Sequence, residues 1–194
     1  IKSALSTDLL KDVQTVVTDY DPVKGICGYI DENTTRQAVL AGAYSHTYSE
    51  NLRMRSIQSA LGYSSVCIGM DRVLYPEEGE ETWEELSKKY SGNLYTFWRP
   101  FKVFDAATVS ESDARIRNFL SMNYSYEDNG DTIKISVEAE NMPVWFIFRT
   151  KNKVIDDIEG GSYKLIEKEA YLIQADEKTV AITLQPESER FYYE

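Results

Sequence analysis

The spacing of apolar residues changes once along this chain, near residue 120, and that change constrains the fold more than any other feature. Before it, helical spacing recurs with Thr-x-x-Glu/Gln sequences at Thr34, Thr82 and Thr108, a pattern that caps helix starts. After it, apolar and polar residues alternate, as at 133–137, which is typical of a sheet with one wet face. The sequence therefore predicts an α+β fold, with an N-terminal mixed α/β segment followed by an antiparallel β-sandwich.

The expected elements follow from these patterns. Gly62 and Gly92 are placed to end helices. Helices are predicted at 7–17, 38–41, 50–61 and 82–90 and after Thr108, with a short strand within 25–30 and a buried strand at 65–70. Later strands are predicted at 123–127, 133–137, 144–148, 154–158, 162–166, 170–175 and 179–184. Asn129-Gly130 is typical of a hairpin turn, and 144–148, apolar on both faces, of a central strand. The predicted domains are a mixed α/β segment, 1–107, and a β-sandwich accessory domain with a leading helix, 108–194.

The charge of the chain narrows its partners. The net charge is −11 and the sequence pI is about 4.7, so nucleic acid is not expected as a partner, because phosphate binding needs clustered Lys and Arg. The chain lacks an apolar run of the roughly 20 residues that a membrane helix needs, so membrane insertion is not expected either.

The two cysteines, Cys27 and Cys67, do not form a CxxC pair. They are expected to be two free thiols or one disulfide.

His46 is the one histidine of the sequence. A single histidine cannot build a His-rich metal centre, and neither a metal nor a cofactor is predicted. It could serve as a general base beside a carboxylate, with Asp71 as the first candidate and Glu50 as the second. The alternative is a histidine that only holds structural hydrogen bonds.

Aromatic residues cluster around position 95. Trp83, Tyr95 and Trp98 are the candidate carbohydrate-binding residues, because Trp and Tyr rings offer an apolar face and a polar edge that suit a sugar ring. Asp and Glu side chains nearby could accept hydrogen bonds from sugar hydroxyls. The alternative is that these rings fill the interface between the two halves of the chain.

Two sets of short motifs carry a family resemblance. His46-Thr-Tyr-Ser49 is similar to the first half of the metal-binding His-Thr-x-x-His motif of polysaccharide deacetylases, although Glu50 stands where the second histidine belongs. Asp19 and Asp21 are the nearest match to that family's upstream aspartate motif. The segments 69–76, 82–86 and 108–111 resemble the late part of large deacetylase-like exopolysaccharide-processing proteins. The resemblance implies the end of a catalytic region followed by an accessory β-domain.

These observations give one main functional prediction and two alternatives. The chain, which begins at Ile1, is expected to be a fragment of a larger secreted or cell-surface bacterial protein that processes glycans. Its partners would be a polysaccharide or oligosaccharide and a neighbouring catalytic domain of the same parent chain, and the fragment itself is expected to be non-catalytic. One alternative is a divergent polysaccharide deacetylase or hydrolase that uses His46 with nearby carboxylates. The other is a structural interaction module.

Overall fold

A computed structural model describes residues 2–5, 7–8 and 10–187 of the chain, and it confirms the predicted α+β class. The chain forms two compact units, residues 1–113 and 114–194, which are described separately. The units divide between Asp113 and Ala114, inside the helix that follows Thr108, whereas the domain boundary expected from the sequence precedes that helix.

Three of the helices begin where a threonine side chain accepts a hydrogen bond from an exposed backbone amide. The helices are α1 (Lys2–Leu5), α2 (Tyr48–Leu61), α3 (Asp71–Leu74), α4 (Trp83–Trp98) and α5 (Val109–Ser121), with a 3₁₀ turn at Arg99–Phe101. Reciprocal capping-box bonds confirm the predicted helix starts at Thr82 and Thr108. A further box at Thr47 starts α2, and Gly62 ends α2 in the left-handed conformation (φ 63°), as predicted.

Helix α4 runs farther than the sequence indicated. Gly92 was expected to stop it near residue 90, but the helix continues to Trp98. A glycine inside a helix costs only about 1 kcal/mol relative to alanine. Two contacts hold the extra turns: Asn93 donates a hydrogen bond to the carbonyl of Ala43 (2.8 Å), and Trp98 packs against the cluster of Leu40 and Met54.

The first unit is built on short, partly parallel sheets. Its strands are β1 (Thr15–Asp19), β2 (Cys27–Tyr29), β3 (Thr35–Val39), β4 (Ala41–Gly42) and β5 (Val66–Cys67). Strand β3 lies between β1, which is parallel to it, and β2, which is antiparallel. Strand β4 pairs in parallel with β5 after a crossover through α2, because parallel neighbours cannot be joined by a tight turn.

Two helix predictions in this unit are wrong. Residues 7–17 were expected to be helical, but residues 10–12 form turns and β1 begins at Thr15, whose Thr-Val-Val-Thr run is β-branched and suits a strand. A helix was expected after Thr34, through residues 38–41, but β4 begins at Ala41 and β3 covers residues 35–39. Its polar side chains are buried with distant partners: Thr35 donates to Asp113, and Gln37 donates to the carbonyl of Val109.

The second unit is an antiparallel β-sandwich. Its strands are β6 (Asn123–Asp128), β7 (Thr132–Glu138), β8 (Val144–Arg149), β9 (Lys153–Glu159), β10 (Gly161–Glu167), β11 (Ala170–Ala175) and β12 (Thr179–Pro186). They form a four-stranded sheet in the order β6-β7-β12-β9 and a three-stranded sheet in the order β10-β11-β8. Both sheets contribute buried residues to one core, which includes Val137, Ile173 and Ile182.

Glycines form two critical turns of the sandwich. Gly130 (φ 85°) closes the predicted β6–β7 hairpin, where the left-handed backbone favours glycine. Gly160 (φ 76°) joins β9 to β10, and a Cβ atom there would collide with the carbonyl oxygen of Thr179. The second position is therefore restricted by packing as well as by conformation.

Strand β8 is not the central strand that its apolar sequence suggested. It lies at the edge of the three-stranded sheet and pairs with β11. Its outward residue Trp145 is half-buried, because the guanidinium of Arg115 lies over its ring, 4.7 Å from the centroid. This cation–π contact explains how an aromatic residue is accommodated on the outward face of β8.

Candidate functional site

The three predicted sugar-binding aromatics lie on α4 but do not form one surface. Trp83 is 55% exposed and Tyr95 64% exposed, whereas Trp98 is half-buried against Leu40 and Met54. Trp98 is thus part of the packing of the first unit.

Trp83 and Tyr95 are also far apart. They are separated by 12 positions, which corresponds to about 18 Å along the helix axis and about 120° around it. The guanidinium of Arg99 covers one face of Tyr95, 4.8 Å from the ring centroid, and donates a hydrogen bond to its hydroxyl. The α4 helix therefore presents two separate exposed rings.

His46 and Asp71 follow the two strands of the parallel β4–β5 pair by the same number of residues. Gly42 and Cys67 are register partners at the ends of these strands, and His46 and Asp71 each follow by four residues. Both therefore follow the carboxyl ends of parallel strands, where α/β sheets commonly bind ligands.

The ring of His46 is held by its own strand. Its Nε2 atom lies 2.6 Å from the carbonyl oxygen of Gly42 and must carry the proton, since a carbonyl only accepts. Nε2 therefore cannot act as a base in this arrangement.

Glu50, the second carboxylate candidate, is held by Thr47. The amide and hydroxyl of Thr47 donate hydrogen bonds to the Glu50 carboxylate and hold its pKa below the ordinary value, with smaller contributions from Arg53 and His46.

The other described carboxylates of the first unit do not gather into a common site for a metal ion. Asp19 ends β1 and is exposed. Glu81 receives hydrogen bonds from Arg72 (3.1 Å) and Lys89, and Lys89 makes the larger contribution to lowering its pKa. Within the part of the chain that the structure describes, no group of three or more His, Cys, Asp or Glu residues is arranged to hold a metal ion. Cys27 and Cys67 are free thiols.

The sandwich carries an aromatic pair that the sequence reasoning did not select. Tyr124 and Tyr126 alternate along β6 and pair with Val137 and Ile135 of β7. Residues directly opposite each other in an antiparallel pair point to the same face, so both tyrosines point to the core side of their sheet. Val137 and Ile135 are nevertheless buried, at 2% and 7% exposure, while the tyrosines are 61% and 67% exposed.

Strand β6 therefore extends beyond the cover of the opposing sheet, which has one strand fewer. Phe146, on the edge strand β8, contacts Tyr124, with the ring centroids 5.9 Å apart and the ring planes inclined by 58°. We call Tyr124 and Tyr126 the aromatic shelf. The Tyr-Ser-Tyr alternation was visible in the sequence. The exposure of the two tyrosine rings could not be predicted from it, because that depends on the number of strands in both sheets.

The described residues thus define an α+β protein whose antiparallel sandwich exposes an aromatic shelf at one edge. Residues 13–172 match the family described as "Uncharacterised protein conserved in bacteria (DUF2194)", and the chain belongs to that family. The comparisons with curated proteins and with solved structures return no match. No helix among the described residues is long and apolar enough to cross a membrane.

Proposed function

We propose that this chain is an accessory, carbohydrate-binding part of a secreted or cell-surface bacterial protein that processes glycans. It would hold a polysaccharide near a catalytic domain of the same parent chain. The observation that carries the proposal is the aromatic shelf: two tyrosine rings on one face of an edge strand, both more than 60% exposed.

The chemistry of the shelf suits a sugar chain. A sugar ring has an apolar face and a rim of hydroxyls, and a tyrosine offers an apolar ring and a polar hydroxyl in return. Residues i and i+2 of a strand lie about 7 Å apart, so the two rings can contact neighbouring units of an extended chain. Asp128 lies on the same face, and its carboxylate can accept hydrogen bonds from sugar hydroxyls.

The shelf is also pre-ordered. All six residues of β6 pair with β7, and the ring of Tyr124 rests against Phe146. Groups that are already fixed lose little conformational freedom on binding, so more of the contact energy appears as affinity.

The test is a calorimetric titration with soluble fragments of cell-wall and exopolysaccharide glycans, starting with oligomers of N-acetylglucosamine. The Tyr124→Ala/Tyr126→Ala variant is expected to lose at least tenfold in affinity, since two stacking contacts contribute roughly 2 kcal/mol. The matched control is Trp83→Ala/Tyr95→Ala, which removes two exposed rings from α4 and should bind like the wild-type protein. Glycan binding by the shelf would be refuted if only the control variant lost affinity, or if the wild-type protein bound none of the glycans.

One observation supports the enzymatic alternative. His46 and Asp71 each follow the carboxyl end of one of two paired parallel strands, where α/β sheets commonly bind ligands. Acetate release from N-acetylglucosamine oligomers, abolished by His46→Ala and kept in the control Asp19→Asn, would establish it. No release by the wild-type protein would exclude a deacetylase.

The half-buried position of Trp98 favours the structural alternative for this residue over contact with a sugar. This alternative predicts that Trp98→Ala lowers the free energy of unfolding without changing glycan affinity.

A further inference from the structure

A polar cavity opens in the first unit between the segment leading into β1 and the start of α5. Its volume is about 380 Å³, which lies within the range of roughly 300–1,000 Å³ typical of small-ligand sites. The residues that line it are Asp12, Val13, Gln14, Thr15, Val109, Ser110 and Asp113.

One of the residues that line the cavity is a buried carboxylate. Asp113 is only 5% exposed, and Thr35, which is fully buried on the central strand β3, donates a hydrogen bond to its Oδ1 atom. The outer residues Asp12, Gln14 and Ser110 are exposed. The lining therefore combines one fixed, buried hydrogen-bond acceptor, Asp113, with exposed polar side chains that can adjust to a ligand.

The walls of the cavity are fixed by the same strand. The amide of Thr35 donates to the carbonyl of Gln14 (2.9 Å), and the hydroxyl of Thr34 donates to the carbonyl of Val13 (3.1 Å). On the opposite side, Gln37 donates to the carbonyl of Val109 (3.3 Å). Both walls are thus tied to β3, so the cavity does not depend on a loose loop.

The lining selects a small ligand that donates several hydrogen bonds. Two carboxylates, two hydroxyls and one amide face it, while Val13 and Val109 add apolar surface. A cavity of this volume is far larger than a single cation, and its carboxylates disfavour an anion. We propose that this cavity binds one neutral sugar residue, with Asp113 accepting hydrogen bonds from its hydroxyls. The site is separate from the aromatic shelf and stands whether or not the shelf binds glycan.

The test is an NMR titration of the ¹⁵N-labelled chain with glucose, galactose and N-acetylglucosamine, each at millimolar concentration. Binding should shift the amide resonances of 12–15 and 109–113. Asp113→Asn keeps the shape and an acceptor for Thr35 but weakens the ligand bonds, so affinity should fall roughly tenfold. Ser110→Ala changes an exposed residue at the mouth, leaves folding intact and should weaken binding by a smaller factor.

Two controls separate this site from its alternatives. Asp19→Asn, outside the cavity, and Tyr124→Ala/Tyr126→Ala should both leave the titration unchanged. No shift at 12–15 and 109–113 with any of the three sugars would overturn the proposal. The proposal would also be overturned if Asp113→Asn and Ser110→Ala bound the sugars with equal affinity. The same shifts produced by calcium chloride at a lower concentration than the sugars would overturn it too.

Discussion

The rings of Tyr124 and Phe146 lie 5.9 Å apart, with their planes inclined by 58°, at the edge where the two sheets of the sandwich differ in width. This contact links the core to the exposed shelf, because Phe146 packs on the core cluster while Tyr124 is mostly exposed. The sandwich thereby fixes the position of a ring that it does not bury.

Phe146→Leu should weaken glycan binding about threefold to tenfold while the fold is kept. The substitution removes the ring contact, which contributes about 0.5–1.5 kcal/mol, but keeps an apolar side chain against the core. Calorimetric titration measures the affinity and urea denaturation the stability. Unchanged affinity in a folded variant would show that Tyr124 does not need this contact.

The shelf and the core should respond differently to truncation. Ile182→Ala removes a fully buried side chain and should lower the free energy of unfolding by about 2–5 kcal/mol. Tyr126→Ala, at a position 67% exposed, should change it by only about 0.5 kcal/mol. Urea denaturation of both variants checks this, and a large loss in Tyr126→Ala would mean that the ring is structural.

Two glycines with left-handed backbones form a matched pair. Gly130→Ala meets no neighbouring atom and should cost only the conformational strain, about 1–2 kcal/mol. Gly160→Ala has the same strain and also a collision with the carbonyl of Thr179, so its cost should exceed that of Gly130→Ala by about 1–3 kcal/mol. Thermal unfolding measures both, and equal costs would contradict the tight β9–β10 turn.

Acid should weaken the fold partly through Glu50. The pKa of Glu50 is lowered in the folded state, first by the amide and then by the hydroxyl of Thr47, so its ionised form favours folding. That contribution is present above the pKa of this carboxyl in the unfolded chain and is lost as the pH falls through the lower pKa of the folded state. Stability measured between pH 7 and pH 2 should fall less steeply in Glu50→Gln. The same loss of stability between pH 7 and pH 2 in the wild-type protein and in Glu50→Gln would contradict this.

The capping boxes show how far local sequence could predict this fold. Thr82 and Thr108 start helices because the bonds of a capping box join residues only three apart. Residues 34–37 carry the same pattern, but β3 begins at Thr35, because the partners of Thr35 and Gln37 lie on α5, more than 70 residues away. A local pattern cannot reveal such distant partners.

The candidate site was predictable to a similar extent. An aromatic surface was expected, and exposed rings exist on α4, but Trp98 is turned into the packing of the first unit. Tyr124 and Tyr126 have the alternation of a strand with one buried face, and their partners Val137 and Ile135 are buried. The tyrosines lie on the edge strand of the wider sheet, and which strands lie at an edge follows from the pairing of the strands β6 to β12, which a local pattern does not reveal.

The most direct test of the aromatic shelf is an NMR titration in which the tyrosine rings carry ¹³C and a soluble N-acetylglucosamine oligomer is added. The account predicts that the ring resonances of Tyr124 and Tyr126 shift together and saturate at one affinity, while those of Tyr95 stay in place. Saturable shifts at Tyr95 with none at Tyr124 and Tyr126, or no shift at any tyrosine, would contradict it.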